Sequence, residues 1–242
     1  MTCMMVALAC LTNCYRDNVT LDLIQNDEEI ISLIATAEQQ LKTIGYTEHG
    51  TRHLGIVTSR ADEILSKLGF DDKHILLAKI AAWLHDVGNA VGRPNHAQNG
   101  AIMAYNLLTK RGMSFGDATD VMCAIANHDE QTGNATSITA ATLILADKSD
   151  VHRSRVRPDK VKDNRLVDSA DIHDRVNFAV TNNQLIIDKD KKQILLALVI
   201  DSEICSTMDY FEIFLSRMRM CLSAAQKLNC SFKLQINGHQ LL

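Results

Sequence analysis

Six side chains combine types and spacing that suit metal chemistry: His53, His85, Asp86, His96, His128 and Asp147. His85 and Asp86 stand together at the end of the apolar run "AAWL", with Gly88 close behind. Asp147 interrupts the apolar run "ATLILAD", where a lone carboxylate is costly unless paired or metal-bound. Imidazoles suit iron, manganese, zinc and related ions, and carboxylates add the charge that holds them. Asp86 has two oxygens and can bridge two ions, and ions about 3.5–4 Å apart can hold a hydroxide and clamp a phosphoryl group. His49, His74 and His152 read as caps or surface residues. Glu48 and His49, one turn before His53, are weaker candidates for a further metal or for the substrate. Arg52, Arg93, Lys148 and Arg153 are the basic residues that could hold phosphate. Lys148 follows Asp147 directly and Arg153 lies six residues on, so helical spacing could place one of them over the ions.

The elements that must position these residues are helices. Apolar periodicity and start and stop signals predict helices over 27–42, 51–68, 72–86, 96–111, 114–128 and 137–152. Asp71 or Asp72 is the expected cap of the third and Asn95 of the fourth. His53 lies near the start of its helix, with Val57 on the same face. His96 has Gly100 one turn later, which leaves room for a close approach. Five helices thus each offer one ligand or, for His85 and Asp86, a pair. From 153 to 170 a charged stretch with Pro158 reads as a linker. Beyond it "DRVNFAVTNNQLIIDKDKKQILLALVID" predicts two or three strands, with "TNNQ" and "DKDKKQ" as turns. A long helix over 203–228 and a last strand in "SFKLQING" complete the chain. The expected fold class is therefore mainly α, with a helical metal-binding domain over residues 1–160 and a small α+β domain over 161–242. The second unit carries no evident catalytic cluster. The stripe Met208, Phe211, Phe214, Met218 and Cys221 on its long helix reads as core first. If it is an interface, a homodimer is the simplest outcome.

The bulk properties narrow the function classes. A chain of 242 residues with a net charge of -4 and a pI near 6.1 does not suit a general binder of long nucleic acid, which needs a basic face. A small anionic substrate is compatible, because local cations can offset the global sign. The seven cysteines, Cys3, Cys10, Cys14, Cys123, Cys205, Cys221 and Cys230, are odd in number and form no Cys-x-x-Cys pair. A disulfide framework or cysteine zinc site is not expected, and a reducing compartment, the cytoplasm, is. The start "MTCMMVALACLTNCYRDN" lacks the basic region of a signal peptide, and no run reaches the roughly 18 apolar residues of a membrane span.

His53, the His85-Asp86 doublet and Asp147 resemble the H…HD…D signature of the HD-domain metal-dependent phosphohydrolase superfamily, over roughly residues 45–155. The resemblance implies an HD-type helical bundle. His96 and His128 resemble the extra ligands of its dinuclear branches, which include dinucleotide hydrolases and cyclic-dinucleotide phosphodiesterases. The resemblance implies two divalent ions, iron or manganese ahead of zinc, nickel, cobalt or magnesium. It implies Asp86 as their bridge, with His53, His85 and Asp147 on one ion and His96 and His128 on the other. It implies hydrolysis of a phosphoester in a nucleotide or similar small phosphorylated metabolite by a metal-activated water. Asp86, Lys148 and Arg153 are then the expected catalytic residues. Two departures stand out. The doublet is followed by Gly88-Asn89 where many HD proteins have Gly-Lys. After His128 the chain reads "DEQTG" rather than Gly-Tyr-Pro, which points away from cyclic di-GMP. The same ligand set also supports dinuclear-iron oxygenases, and a non-catalytic metal-stabilised binding module is a third reading.

Overall fold

A computed structural model describes residues 19–167 and 171–242. The expectations placed on residues 1–18, including the signal-peptide reading and Cys3, Cys10 and Cys14, lie outside the described residues. The first part is helical: α1 (Leu21–Gln25), α2 (Glu28–Thr43), α3 (Thr51–Leu68), α4 (Asp72–Leu84), α5 (His96–Lys110), α6 (Phe115–Ala126) and α7 (Ile138–Lys148). Most starts carry the cap their sequence offers. Asp27, Asp71, Ser114 and Ser137 each accept a hydrogen bond from the backbone N–H three residues on, satisfying donors a helix start leaves free. Asn95 precedes α5 with a left-handed backbone and no side-chain cap, so it turns the chain rather than capping it.

Helix α7 is the centre of this bundle. From Thr139 to Lys148 every residue is buried, and α3, α4 and α6 pack around it. A helix that is apolar on all sides requires such a surround. The remaining side is covered by α9 (Thr207–Lys227), the long helix of the C-terminal part.

That part consists of a two-stranded hairpin, β1 (Val161–Lys162) and β2 (Arg165–Leu166), then α8 (Ile172–Ala179), β3 (Val180–Asp188), β4 (Gln193–Ile200), α9, β5 (Ser231–Ile236) and β6 (His239–Gln240). The sheet order is β3-β4-β5-β6, with β4 and β5 parallel across the α9 crossover and the other pairs antiparallel. Ile194, Leu196, Leu198 and Ile200 of β4 and Phe232, Leu234 and Ile236 of β5 alternate inward. Buried side chains of the helical part and of the sheet belong to one continuous hydrophobic cluster. The architecture is mainly α with a small α+β part, as the sequence predicts.

Two local expectations are corrected. The stretch 174–179 is helix, not strand: Asp171 and Asp174 form a reciprocal capping box, and Val176, Ala179 and Val180 share a buried face. "TNNQ" is not a turn but lies inside β3, and the hairpin turns at 189–192. Asn183 is polar within that strand because its amide donates to the carbonyls of Ser149 and Val151 and accepts from Arg60, tying the sheet to the end of α7. Among the described residues no helix is long and apolar enough to cross a membrane.

Candidate metal centre

The six residues singled out from the sequence converge in the bundle, and all are buried. His53 sits in the first turn of α3. Its Nδ1 lies 2.7 Å from Oδ2 of Asp150, and a carboxylate only accepts, so Nδ1 carries the proton and Nε2 offers its lone pair. His85 follows the last residue of α4 and donates from Nδ1 to the carbonyl of Ala82 at 2.8 Å. His128, two residues past α6, does the same to Ile125 at 2.6 Å. Three imidazoles are thereby fixed with Nε2 as the free donor, the arrangement in which an outer partner orients a metal ligand. Among the described residues Nε2 of His53 and of His85 are buried with no hydrogen-bond partner. Buried polar atoms are rarely left so, and two ring nitrogens with lone pairs beside the same carboxylates fit metal coordination.

Asp86 lies between two sets of imidazoles. Its Oδ2 is 3.2 Å from Nε2 of His85 and 3.9 Å from that of His53. Its Oδ1 is 3.7 Å from Nε2 of His96 and 3.9 Å from that of His128. Asp147, near the end of α7, places Oδ1 3.3 Å from His53 and 3.7 Å from His85, while its Oδ2 takes Lys148 at 2.8 Å. Ligands about 2.0–2.2 Å from one ion lie about 3–3.5 Å from each other, close to these separations. Three overlapping groups meet the geometry of a metal site: His53, His85 and Asp86; His85, His128 and Asp147; and Asp86, His96 and His128.

The electrostatics favour the ligating protonation states of Asp86, Asp147, His96 and His128. Burial pushes the Asp86 carboxyl up, but His85 and the other imidazoles around it prevail and hold it well below the usual range. Asp147 behaves alike, with Lys148 the main opposing charge. Burial lowers His128 and His96, so both are neutral and ready to donate at neutral pH. His85 is pulled down by burial and up by Asp86 and Asp147, and the net shift is upward. A cation that displaced its proton would relieve the same two carboxylates.

A cavity of about 620 Å³ opens beside the centre and includes His49, Arg93, His96, Asp129, Arg155 and Arg217 in its wall. The fates of the predicted basic residues differ. Lys148 is buried against Asp147, and Arg93 lines the cavity with its guanidinium 5.1 Å from the ring centre of Tyr46. Arg52 is directed to Glu48 and Asp150. Arg153 is a correction: its guanidinium lies over Phe178 at 5.1 Å and is not part of the cavity wall. Helix α7 stops at Lys148, so helical spacing does not extend to residue 153, and Arg155 reaches the cavity instead. His74 stays beside Asp71 and His152 beside Ser154, outside the cluster. His49 lies 5.5 Å from the ring of His53 and donates to the carbonyl of Thr47.

Sequence reasoning missed Asp150, Asp129 and Arg217. Asp150 lies one turn past Asp147, a spacing that could have drawn attention to it. Asp129 approaches His96 at 3.9 Å, adjacent in sequence to His128. No local signal marks Arg217, which comes from α9 some 70 residues beyond the helical part.

No family model matches the chain. It is 26% identical over 204 residues to an uncharacterized protein of Methanocaldococcus jannaschii, an alignment spanning 75% of this chain and 76% of that protein. It is similar to the solved structure of a predicted HD superfamily hydrolase from an uncultured Thermotogales bacterium. The identity is 27%, the match covers 54% of this chain and 73% of that one, and the TM-score is 0.41.

Proposed function

We propose that the chain is a metal-dependent phosphohydrolase of the HD type, acting on a phosphoester of a nucleotide or similar small phosphorylated metabolite. The observation that carries the reading is the position of Asp86, one oxygen toward His53 and His85 and the other toward His96 and His128. In this reading His53, His85, Asp86 and Asp147 hold one ion, and Asp86, His96 and His128 the other. When bound, two divalent ions supply a water acidified toward neutral pH and charge for the phosphoryl oxygens.

The chain's own residues do the remaining work. Asp150 holds the His53 ring, and the carbonyls of Ala82 and Ile125 hold those of His85 and His128, so the donors need no reorganisation. Lys148, fixed by Asp147, adds positive charge beside the centre. Arg93 supplies a guanidinium in the cavity wall, suited to orienting a phosphate by paired hydrogen bonds, and Arg155, held by Asp150 and the carbonyl of Glu48, adds positive charge behind it. The cavity has the size of a small-metabolite site, within the usual range of about 300–1,000 Å³.

The test is a panel of mono-, di- and cyclic nucleotides with Mn²⁺ or Fe²⁺, scored for phosphate or nucleotide release, beside an oxygen-electrode trace with reduced iron. The reading predicts metal-dependent release that Asp86→Ala abolishes and His74→Ala leaves intact. No release, with substrate-dependent oxygen uptake, would replace it by a dinuclear-iron oxygenase. Silence in both assays from metal-loaded protein would favour a binding module.

A further inference from the structure

We infer that Arg217, delivered by the C-terminal helix α9, is the specificity-determining residue of the cavity and holds a second anionic group of the substrate, away from the phosphorus under attack. The inference rests on the hydrolase reading and narrows its substrate class to phosphorylated metabolites with two anionic groups.

Arg217 is held from two sides. Its guanidinium lies over the ring of Phe214 at 4.4 Å, three residues earlier on the same face of α9. Phe214 is itself buried, so the platform is rigid. Nε of Arg217 donates to Oε2 of Glu130 at 2.7 Å. Among the described residues the two terminal nitrogens have no acceptor, and they belong to a side chain in the cavity wall. A guanidinium stacked on an aromatic ring and tied at Nε presents its outer edge as a planar fork, the geometry that pairs with a phosphate or carboxylate.

Position separates this group from the reacting end. Oδ2 of Asp147 contacts Nζ of Lys148 at 2.8 Å, Nζ of Lys148 lies 4.0 Å from Oε2 of Glu130, and that oxygen accepts from Arg217. Arg217 therefore stands two side chains outward from a metal donor. The charge balance agrees. Glu130 is shared between Lys148 and Arg217, Asp129 faces His96 at 3.9 Å, Asp174 is bound by Lys160, and Asp171 caps α8. In the same wall Arg93 donates to the amide oxygen of Asn89, whereas Arg155 is already taken up by two backbone carbonyls and by the Asp150 carboxylate at 3.9 Å. Arg93 and Arg217 thus leave guanidinium donors in one cavity wall for more than one anionic group.

The test measures binding of three probes to metal-loaded protein by calorimetry: orthophosphate, pyrophosphate and phosphonoacetate, which joins a phosphonate to a carboxylate. Wild type is expected to prefer the two-anion probes to orthophosphate by about tenfold or more, the scale of one charge-assisted pair. Arg217→Gln is expected to remove that preference while leaving orthophosphate affinity and metal content unchanged. Arg217→Lys keeps the charge without the fork and should reduce the preference by about threefold or more, and it decides the matter if the Gln variant does not fold. Loss for pyrophosphate alone identifies the second group as phosphate, and loss for phosphonoacetate alone as carboxylate. The inference is overturned if wild type shows no preference, binds none of the probes, or keeps its preference in both variants. A wild type that prefers the two-anion probes but hydrolyses nothing would leave Arg217 its role and remove the hydrolase. An active hydrolase without the preference would do the reverse.

Discussion

Asp150 shows how a residue outside the ligand set controls it. Burial alone would raise its carboxyl, but His53, Arg155 and Arg52 hold it far below the ordinary range, so it is ionised and accepts from Nδ1 of His53. That contact fixes the tautomer and raises the basicity of Nε2. Asp150→Asn keeps an acceptor oxygen but loses the charge. It is expected to weaken metal affinity by about 10–100-fold, the usual effect of removing such a partner. Chelator competition on folded variant and wild type measures this, and equal affinities would contradict the role. The candidate ligands are legible in the sequence because each breaks a local rule: a carboxylate in or beside an apolar run, or imidazoles at the ends of core helices. Asp150 and Arg217 break no such rule, and only the folded chain reveals them.

At the scale of elements, the centre depends on how closely helix ends approach. Gly88, just past α4, packs on the start of α5: a Cβ there would lie 2.0 Å from the carbonyl oxygen of His96 and 2.4 Å from the backbone nitrogen of Gly100. Neither neighbour is a flexible side chain. Gly88→Ala must push α5 away and carry His96 with it. The expected results are a stability loss of about 1–3 kcal/mol or more, as for overpacking, and loss of the second ion before the first. A variant with wild-type stability and metal content would contradict this. Elsewhere Arg111, after α5, binds Asp27 and Glu29 at the start of α2, and its hydrogen bond is the main cause lowering the Asp27 carboxyl; for Glu29, Lys110 comes first and Arg111 second. Carboxyls held below their unfolded values stabilise the fold above those values, about 3.9 and 4.3, and stop doing so as pH falls through the folded ones. The thermal midpoint of Arg111→Met should therefore trail wild type by a constant gap above about pH 5 that narrows below about pH 4. A gap that is independent of pH, or widens in acid, would show that the contact acts through packing instead. Helix periodicity located these elements well, since α3 spans the predicted 51–68 and the other boundaries of the first part shift by a few residues. It failed for α8 and for "TNNQ". For "TNNQ" the long-range contacts of Asn183 decide, and for α8 the Asp171–Asp174 capping box does.

For the whole molecule, the shared core is the main fact. Helix α7 is buried on every side, and α9 supplies part of that cover along with Arg217 in the cavity. A chain ended at residue 160 would leave one face of α7 in water, and an exposed apolar patch of that kind promotes association. Such a fragment is expected to aggregate or to lose fixed tertiary packing, judged by near-ultraviolet dichroism and sedimentation. A monomeric fragment with native dichroism would show that the helical part folds alone. The hydrophobic core runs across residue 160: of the α9 stripe, Phe214, Met218 and Cys221 are buried in it, whereas Met208 is exposed.

The central claim is a two-ion centre bridged by Asp86, and the metal content of protein purified without chelators tests it most directly. The account predicts about two transition-metal ions per chain, falling to near zero in Asp86→Ala. Equal metal content in wild type and Asp86→Ala, or a wild type that stays metal-free when iron and manganese are supplied, would contradict it.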